Sequence, residues 1–158
     1  DARQIAIIVG YGPVGRVVDA LLRDAGLSTV VVEMNMKSVE SLTKANRPAI
    51  FGDATRLEIL DQAGLRRAAY LIVTLPHSAS RADLVRSARE INPNVQIVMR
   101  ARYLAEGDAL REAGCDRVVF EEGETGIAMA RQVMELRGME EVMITRMQDA
   151  IRSLWKLK

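Results

Sequence analysis

The stretch IAIIVGYGPVG, residues 5–15, joins an apolar run to a glycine-rich turn. The turn Gly10-Tyr11-Gly12-Pro13-Val14-Gly15 matches the pattern G-x-G-x-x-G. Apolar residues then recur at three- and four-residue spacing, as in an amphipathic helix, and Gly26 follows the last of them. These residues are Val14, Val17, Val18, Leu21 and Leu22. A strand, this turn and a helix in direct succession predict a phosphate-binding loop at the start of a parallel α/β sheet.

The rest of the chain repeats the alternation of short β-branched runs and amphipathic segments. The predicted strands are Ile5–Val9, Thr29–Val32, Ala49–Phe51, Tyr70–Val73, Val95–Met99 and Arg117–Phe120. The predicted later helices are Met36–Ala45, Arg81–Ile91, Leu104–Ala113 and Glu124–Arg137, with a shorter one starting at Thr55, where Thr55 and Glu58 have the spacing of a capping box. This order predicts a doubly wound, six-stranded parallel sheet of the Rossmann-like α/β class, with its ligand where the strand order reverses.

Composition and charge exclude several classes of protein. Of the 158 residues, 49% are hydrophobic and 27% are charged, which is typical of one domain with a folded core. The 22 Lys and Arg nearly balance the 21 Asp and Glu and form no basic block, so nucleic acid is not expected as a partner. The longest stretch without Asp, Glu, Lys or Arg, Ala68–Ser80, is too short for a membrane helix.

The single Cys115 and single His77 set further bounds. One cysteine cannot form an internal disulfide, which favours a reducing, cytosolic environment. One cysteine and one histidine do not supply a zinc ligand set, so no metal site is expected. We interpret His77 as a solvated loop residue and Cys115 as a small filler of a half-buried position.

The chain is predicted to divide into residues 1–137, the α/β domain, and residues 138–158, a helical tail. One apolar stripe runs along the tail, formed by Met139, Met143, Met147, Ala150, Leu154 and Leu157. This stripe either contacts a partner, such as a second copy of the chain, or packs back on its own domain.

The glycine loop and Glu33 define the predicted ligand. Gly10 allows the tight turn, Gly12 lets the backbone approach a phosphate, and Gly15 lets helix and strand pack closely. Glu33 follows Gly15 by 18 residues, close to the offset at which a carboxylate reaches ribose hydroxyls, and Met34 lies next to it. A 2′-phosphate beside Glu33 would be repelled, so NADP is disfavoured while NAD, NADH, AMP, ADP and ATP remain candidates.

Three later segments are expected at the same edge of the sheet. Asp53, followed by Ala54, is either an acceptor for the adenine amino group or an ordinary turn residue. Thr74 and Leu75 follow the fourth strand and are expected to contact ribose or phosphate. Arg100 leaves the fifth strand, where its guanidinium either neutralises a terminal phosphate or forms a surface salt bridge; Arg102 is the weaker candidate.

From residue 3 to residue 137 the chain resembles the TrkA-N, or regulator-of-potassium-conductance, domain, a cytosolic nucleotide-binding domain that regulates potassium channels and transporters. The matching segments are Gly10–Gly15, Glu33, Gly52-Asp53-Ala54-Thr55, Leu71-Ile72-Val73-Thr74 and Arg100-Ala101-Arg102. The stretch AGCDRVVFEE, residues 113–122, is most similar to the C-terminal domain of Kef-type and YbaL-type cation/proton antiporters, although Cys115 replaces the alanine more usual there.

The resemblance implies a regulatory module without turnover that binds NAD(H) or an adenine nucleotide. It also implies a homodimer formed through the helix after the last strand, acting on the membrane transport domain of the same full-length protein at the cytoplasmic face of the inner membrane. The chain would then be a fragment that follows the transport domain. It has no room for the second ligand-binding lobe of many channel regulators, which favours the antiporter type. The alternative is a small NAD-dependent oxidoreductase, but the six strand–helix units leave no substrate domain.

Overall fold

The computed structural model describes residues 3–76 and 81–157. Its strands are β1 (Ile5–Val9), β2 (Ser28–Glu33), β3 (Ala49–Phe51), β4 (Tyr70–Val73), β5 (Gln96–Ala101) and β6 (Arg117–Phe120). Its α-helices are α1 (Pro13–Asp24), α2 (Met36–Lys44), α3 (Leu57–Gln62), α4 (Arg81–Ile91), α5 (Glu106–Glu112), α6 (Glu121–Leu136) and α7 (Glu141–Leu154). All six predicted strands are confirmed, with boundaries that shift by one or two residues.

The sheet is parallel throughout and has the strand order β3-β2-β1-β4-β5-β6. The predicted doubly wound, Rossmann-like fold is therefore confirmed. The order reverses between β1 and β4, whose neighbouring residues Val9 and Val73 are paired. Because the carboxyl ends of parallel strands meet at one edge, the loops after β1 and β4 lie side by side.

The inner strands form the core because their side chains are covered by helices on both faces. Ile7, Ile8, Leu71, Ile97 and Met99 are fully buried. Within the described ranges, no helix is both long enough and apolar enough to cross a bilayer.

The buried face of helix α1 overlaps its apolar stripe only in part, at the half-buried residues Val18 and Leu22. Val17 and Leu21 are 59% and 63% exposed, whereas Gly15 and Asp19 are buried. Asp19 lies inside because Thr29 and Arg47 satisfy its carboxylate. The stripe therefore lies partly on the outside of the domain.

The predicted capping box at Thr55 is wrong. Helix α3 begins one residue later than a Thr55 cap requires, with Arg56 as its N-cap and no side-chain capping bond. The Thr55 backbone N–H and hydroxyl instead both donate to Asp53 Oδ1, at 2.9 and 2.7 Å. Asp53 competes for the Thr55 hydroxyl because an Asx turn closes over only two residues.

The tail forms helix α7, which packs antiparallel to α6 in a hairpin turned at Gly138. Ile144 is buried, and Arg152 donates two hydrogen bonds to Glu124, at 3.0 and 2.8 Å. Leu157 joins the main core beside Gly123. The predicted stripe is split as a result, because Leu157 is buried while Met143, Met147 and Leu154 remain exposed.

Candidate functional site

A cleft of about 380 Å³ opens where the strand order reverses, and we call it the switch-point cleft. It is lined by Gly10, Tyr11, Gly12, Pro13, Val14, Gly15, Glu33, Thr74, Leu75, Pro76 and Arg100. The structure therefore brings together ten of the predicted site residues, with Pro76 beside them. It leaves Met34, Asp53 and Ala54 out of the lining.

The three glycines of the loop have two different roles. Gly10 has φ +96°, and a Cβ on it would lie 2.6 Å from Thr74 Oγ1. A Cβ on Gly15 would lie 2.0 Å from the Gly10 carbonyl oxygen. A Cβ on Gly12 would meet no heavy atom within 4 Å. Packing thus requires glycine at Gly10 and Gly15, whereas Gly12 leaves the entrance of the cleft open.

The first turn of α1 presents unused hydrogen-bond donors. Gly12 is the N-cap and makes no side-chain capping bond, and the first helical bond runs from the Arg16 N–H to the Gly12 carbonyl, at 3.0 Å. The amides of Val14 and Gly15 therefore have no acceptor within the helix. Since the first turn contains no acidic residue, the positive end of the helix dipole is not neutralised there. This arrangement suits an anion.

Glu33 is the last residue of β2 and lines the switch-point cleft. One carboxylate oxygen, Oε2, accepts a hydrogen bond from the Met34 backbone N–H at 2.9 Å. That bond orients the side chain and leaves Oε1 without a donor from the described residues. The Met34 side chain is exposed outside the cleft.

Thr74 holds the loops after β1 and β4 together. Its hydroxyl donates to the Val9 carbonyl at 2.9 Å, with the Gly10 carbonyl also within 3.2 Å. Because a hydroxyl has a single proton, Thr74 can meet a ligand only through its oxygen or its backbone. Leu75 packs against the core and borders the cleft.

Arg100 lies within β5 rather than after it, because the strand extends to Ala101. Its Nη1 donates to the Thr74 carbonyl at 3.2 Å, and its Nε donates to the carboxylate of Glu121, the first residue of α6. The guanidinium thus lines the switch-point cleft and is ion-paired with α6 at the same time.

Asp53 and Ala54 lie beyond the lining, at the end of β3. Hydrogen bonds from the Thr55 hydroxyl and N–H hold the pKa of Asp53 below its ordinary value. Asp53 is therefore an ionised turn residue here, and Ala54 belongs to the core. The structure gives Asp53 the geometry of the turn-residue alternative.

Two buried groups were not singled out from the sequence. Asp19 accepts from Thr29 Oγ1 at 2.7 Å and from Arg47 Nη2 at 2.7 and 2.6 Å. Arg81, the first residue of α4, donates to the Arg100 carbonyl and to Glu106. For Asp19, the signal was a carboxylate four residues after Gly15, on the same helix face. Nothing local marks Arg81, because its partners come from β5 and α5.

The single cysteine and the single histidine are absent from the described lining of the switch-point cleft. Cys115 is buried, and burial raises the pKa of its thiol to about 11, which keeps it protonated and unreactive at neutral pH. His77 lies outside the described residues.

The fold and the cleft define a Rossmann-like α/β domain with an open anion-accepting loop at the switch point. Residues 6–121 match the TrkA-N domain model. The chain belongs to the TrkA-N domain family, and the predicted resemblance is confirmed.

Two curated relatives are named as ion transport proteins. The chain is 35% identical over 136 residues to "Putative cation/proton antiporter YbaL" from Escherichia coli (strain K12), covering 86% of this chain and 24% of that protein. It is 31% identical over 133 residues to the glutathione-regulated potassium-efflux system protein KefC of Escherichia coli O157:H7 (strain EC4115 / EHEC), covering 84% of this chain and 22% of that protein. The chain thus spans about a quarter of the length of these relatives.

Solved structures show the same fold. The TrkA-N domain of the inner membrane protein YbaL from Escherichia coli superposes with a TM-score of 0.76 at 34% identity, covering 86% of this chain and 98% of that one. The ADP-bound GsuK structure gives 0.69 at 26% identity, with 85% and 34% covered. The AMP-bound Kef C-terminal domain of Shewanella denitrificans gives 0.78 at 22% identity, with 95% and 91% covered, and shows the fold alone.

Proposed function

We propose that this chain is the nucleotide-sensing regulatory domain of a membrane cation/proton antiporter of the potassium-transporting kind. An adenine nucleotide, NAD(H), AMP, ADP or ATP, would bind in the switch-point cleft and gate transport without being turned over. The observation that carries the proposal is the composition of that cleft. Unused amides at the start of α1 and the Glu33 carboxylate line the same open space.

The chemistry of the lining indicates where each part of the nucleotide would lie in the cleft. The phosphate belongs at Gly12–Gly15, because the amides and the helix dipole favour negative charge there. The ribose diol belongs at Glu33, which has an unused acceptor oxygen. A 2′-phosphate at that position would meet the carboxylate, so NADP is disfavoured. Asp53, Ala54 and Met34 remain candidates for adenine contacts only if the ligand extends past β2.

The relatives support this function by their names. YbaL and KefC are named as a cation/proton antiporter and a potassium-efflux system, and the GsuK structure, at 26% identity, was solved with ADP bound. Since this chain spans only a quarter of YbaL and KefC, a transport domain in the same full-length protein is part of the proposal. The domain would then lie at the cytoplasmic face of the inner membrane.

Isothermal titration calorimetry with AMP, ADP, ATP, NAD and NADH tests the site. Gly12→Val should abolish binding while the melting temperature stays close to that of the wild type, because the added side chain projects into open space. Ala20→Val is the control, since Ala20 is exposed on the same helix, α1, and lines neither the cleft nor the groove between α1 and α6. Equal affinities for the wild type and Gly12→Val would show that the nucleotide does not bind in this cleft.

We also infer a homodimer formed through α6. An apolar groove of about 690 Å³ runs between α1, the sheet and α6. Its lining includes the apolar residues Val14, Val18, Ile72, Val98, Val119 and Met129 and the charged residues Arg100, Glu121 and Glu122. Met129, on α6, is 67% exposed beside this groove, and exposed apolar residues clustered at a groove are candidates for a protein interface. Helix α7, which follows α6 in the hairpin, is a second candidate surface for contact with a partner or with the transport domain.

The oxidoreductase alternative predicts turnover. Hydride transfer requires an acid or base within hydrogen-bond reach of a substrate beside the nicotinamide. No observation in the switch-point cleft favours this function over sensing. Consumption of NADH in the presence of a panel of carbonyl substrates, lost on His77→Ala, would establish the enzyme and overturn the sensor.

A further inference from the structure

A second cavity, of about 550 Å³, lies between helix α2 and the loop that joins β1 to α1, and we call it the basic pocket. Three cations and two hydroxyl groups line it, together with Tyr11: Arg16, Lys37, Arg47, Ser38 and Ser41. No carboxylate of the described chain lines it. Tyr11 is the one residue that it shares with the described lining of the switch-point cleft, so the basic pocket is a separate cavity.

Arg47 is the most buried cation of the basic pocket. Its side chain is 18% exposed, and its Nη2 donates to both carboxylate oxygens of the buried Asp19, at 2.7 and 2.6 Å. Arg23 is paired with the same carboxylate at 3.7 Å, so Asp19 is shared between two cations and cannot neutralise both. The hydrogen bonds hold the Arg47 guanidinium in one orientation, so a ligand that binds it has little side-chain motion to restrict.

Arg16 and Lys37 are exposed cations at the same pocket, and neither forms an ion pair with residues 3–76 or 81–157. The Arg16 Nε donates to the Tyr11 carbonyl at 3.3 Å, and its guanidinium lies 5.4 Å from the centre of the Tyr11 ring. Arg16 is thus oriented by uncharged groups, which leave its charge available. Cations gathered around one cavity repel each other unless an anion lies between them.

Arg16 and Lys37 also lie at helix positions that disfavour a cation. Arg16 is in the first turn of α1 and Lys37 is in the first turn of α2, and neither turn contains an acidic residue. The positive end of the helix dipole is at the N-terminus, so a cation there lowers the stability of the helix. Two neighbouring helices break the same local rule beside one cavity, which is expected at a binding site.

We propose that the basic pocket binds a phosphate group, separately from any nucleotide in the switch-point cleft. Guanidinium groups suit phosphate because several of their N–H donors reach its oxygens at once, and the hydroxyl groups of Ser38 and Ser41 can each donate one hydrogen bond more. A soluble phosphate compound and the headgroup of an anionic lipid share this chemistry. The proposal goes beyond the proposed function and does not depend on it.

Nuclear magnetic resonance locates the anion. Inorganic phosphate is titrated into the isotope-labelled 158-residue chain at constant ionic strength, with chloride as the reference anion. The amide signals of Arg16, Lys37, Ser38 and Ser41 should shift and saturate. Because Arg16 and Lys37 are exposed, Arg16→Gln and Lys37→Gln leave the buried contacts intact, and each should weaken binding about tenfold, as for one lost charge-assisted contact.

Two controls separate the basic pocket from its surroundings. Lys44→Gln removes an exposed lysine of the same helix that does not line the pocket, and it should leave the affinity for phosphate unchanged. Gly12→Val closes the switch-point cleft and should also leave it unchanged. Shifts that are confined to residues 12–15 and lost in Gly12→Val would overturn the proposal, as would shifts that do not saturate or equal affinities in the wild type, Arg16→Gln and Lys37→Gln.

Cosedimentation with lipid vesicles distinguishes the two sources of the phosphate group. The vesicles consist of phosphatidylcholine alone or of phosphatidylcholine and phosphatidylglycerol in equal parts. Sedimentation with the mixed vesicles only, lost in Lys37→Gln and kept in Lys44→Gln, would assign the basic pocket to a lipid headgroup. Saturable phosphate binding without sedimentation would assign it to a soluble phosphate compound. If neither phosphate nor the mixed vesicles bind in a Lys37-dependent way, the pocket is not a phosphate site, whatever binds in the switch-point cleft.

Discussion

Arg100 and Glu121 form an ion pair that links the switch-point cleft to the first residue of α6. Arg100 also donates to the Thr74 carbonyl at 3.2 Å, so one guanidinium contacts the loop after β4 and the helix that borders the apolar groove. A phosphate in the cleft would compete with Glu121 for this guanidinium. Nucleotide binding would then change the restraint on α6, which is the coupling that a regulatory domain needs.

Glu121→Gln should raise the affinity for ADP by about three- to tenfold. The variant removes a competitor for Arg100 and a negative charge near the phosphates. Arg100→Gln should lower the affinity by about tenfold or more, because the cation itself is lost. Calorimetry with ADP measures both, and Glu122→Gln, next in sequence but without a described ion pair, is the control. Equal losses in Glu121→Gln and Arg100→Gln would show that the pair is purely structural.

The fold and the loop could be predicted because their signals are local. The strand, the Gly10–Gly15 turn and the helix follow one another in sequence, and Glu33 ends the next strand. A salt bridge was one of the two alternatives predicted for Arg100, but its partner could not be predicted, because Glu121 is brought to it only by the pairing of β5 with β6. The amphipathic helix α1 is confirmed, but its apolar stripe could not show that Asp19 is buried, because the partner that stabilises this carboxylate, Arg47, comes from a distant part of the chain.

Glu33→Gln should relax the exclusion of NADP. The carboxylate repels a 2′-phosphate, and two unit charges at about 4 Å cost up to about 4 kcal/mol at the dielectric of a protein surface. The preference for NADH over NADPH should therefore fall by at least about tenfold in this variant. Competitive displacement of a fluorescent adenine nucleotide measures the ratio. Glu40→Gln, an exposed carboxylate on α2, should leave it unchanged; an unaltered ratio in Glu33→Gln would place Glu33 outside the ligand contacts.

Gly15→Ala should destabilise the domain, in contrast to Gly12→Ala. A Cβ on Gly15 would overlap the Gly10 carbonyl oxygen at 2.0 Å, so α1 must move away from the loop. Overpacking of this kind costs about 1–3 kcal/mol or more. Gly12→Ala meets no neighbour and should change the free energy of unfolding by less than about 1 kcal/mol. Urea denaturation compares the two, and similar losses would mean that the loop adopts another conformation.

Arg47→Ala should destabilise the domain by about 3–5 kcal/mol at neutral pH, because it leaves the buried Asp19 carboxylate without its main partner. Arg66→Ala is the control: its ion pair with Asp61 is exposed, and its loss should cost less than about 1 kcal/mol. Urea denaturation at pH 7 measures both. A loss in Arg47→Ala no larger than in the control would show that Asp19 is solvated.

The buried Asp19, with its partners Arg47 and Thr29, also makes the stability of the domain depend on pH in the acid range. Burial acts to raise the pKa of Asp19, but hydrogen bonds from Arg47 and Thr29 outweigh it and hold the pKa below its ordinary value of 3.8. A depressed pKa stabilises the folded state above that ordinary value, and the contribution is lost as the pH falls through the folded pKa. Asp19→Asn should therefore show a flatter decline of melting temperature below about pH 4 than the wild type. Parallel declines would assign the acid sensitivity to other carboxylates.

Met129→Asp should convert a dimer into a monomer if a second copy covers the apolar groove. Burying a methionine side chain contributes about 1.5–3 kcal/mol, and each copy would lose that contribution and also have to desolvate a carboxylate. The dissociation constant should rise by at least about a hundredfold. Analytical ultracentrifugation should show about 35 kDa for the wild type and 17.5 kDa for the variant.

Val17→Asp is the matched control for this experiment, because Val17 is an exposed apolar residue on α1 that does not line the groove. Its mass should equal that of the wild type. A measured mass of 17.5 kDa for the wild-type chain at about 100 µM would contradict the dimer. A Met129→Asp variant that remains dimeric would instead move the interface off the groove, and the exposed face of α7 with Met143 and Met147 would be the next surface to substitute.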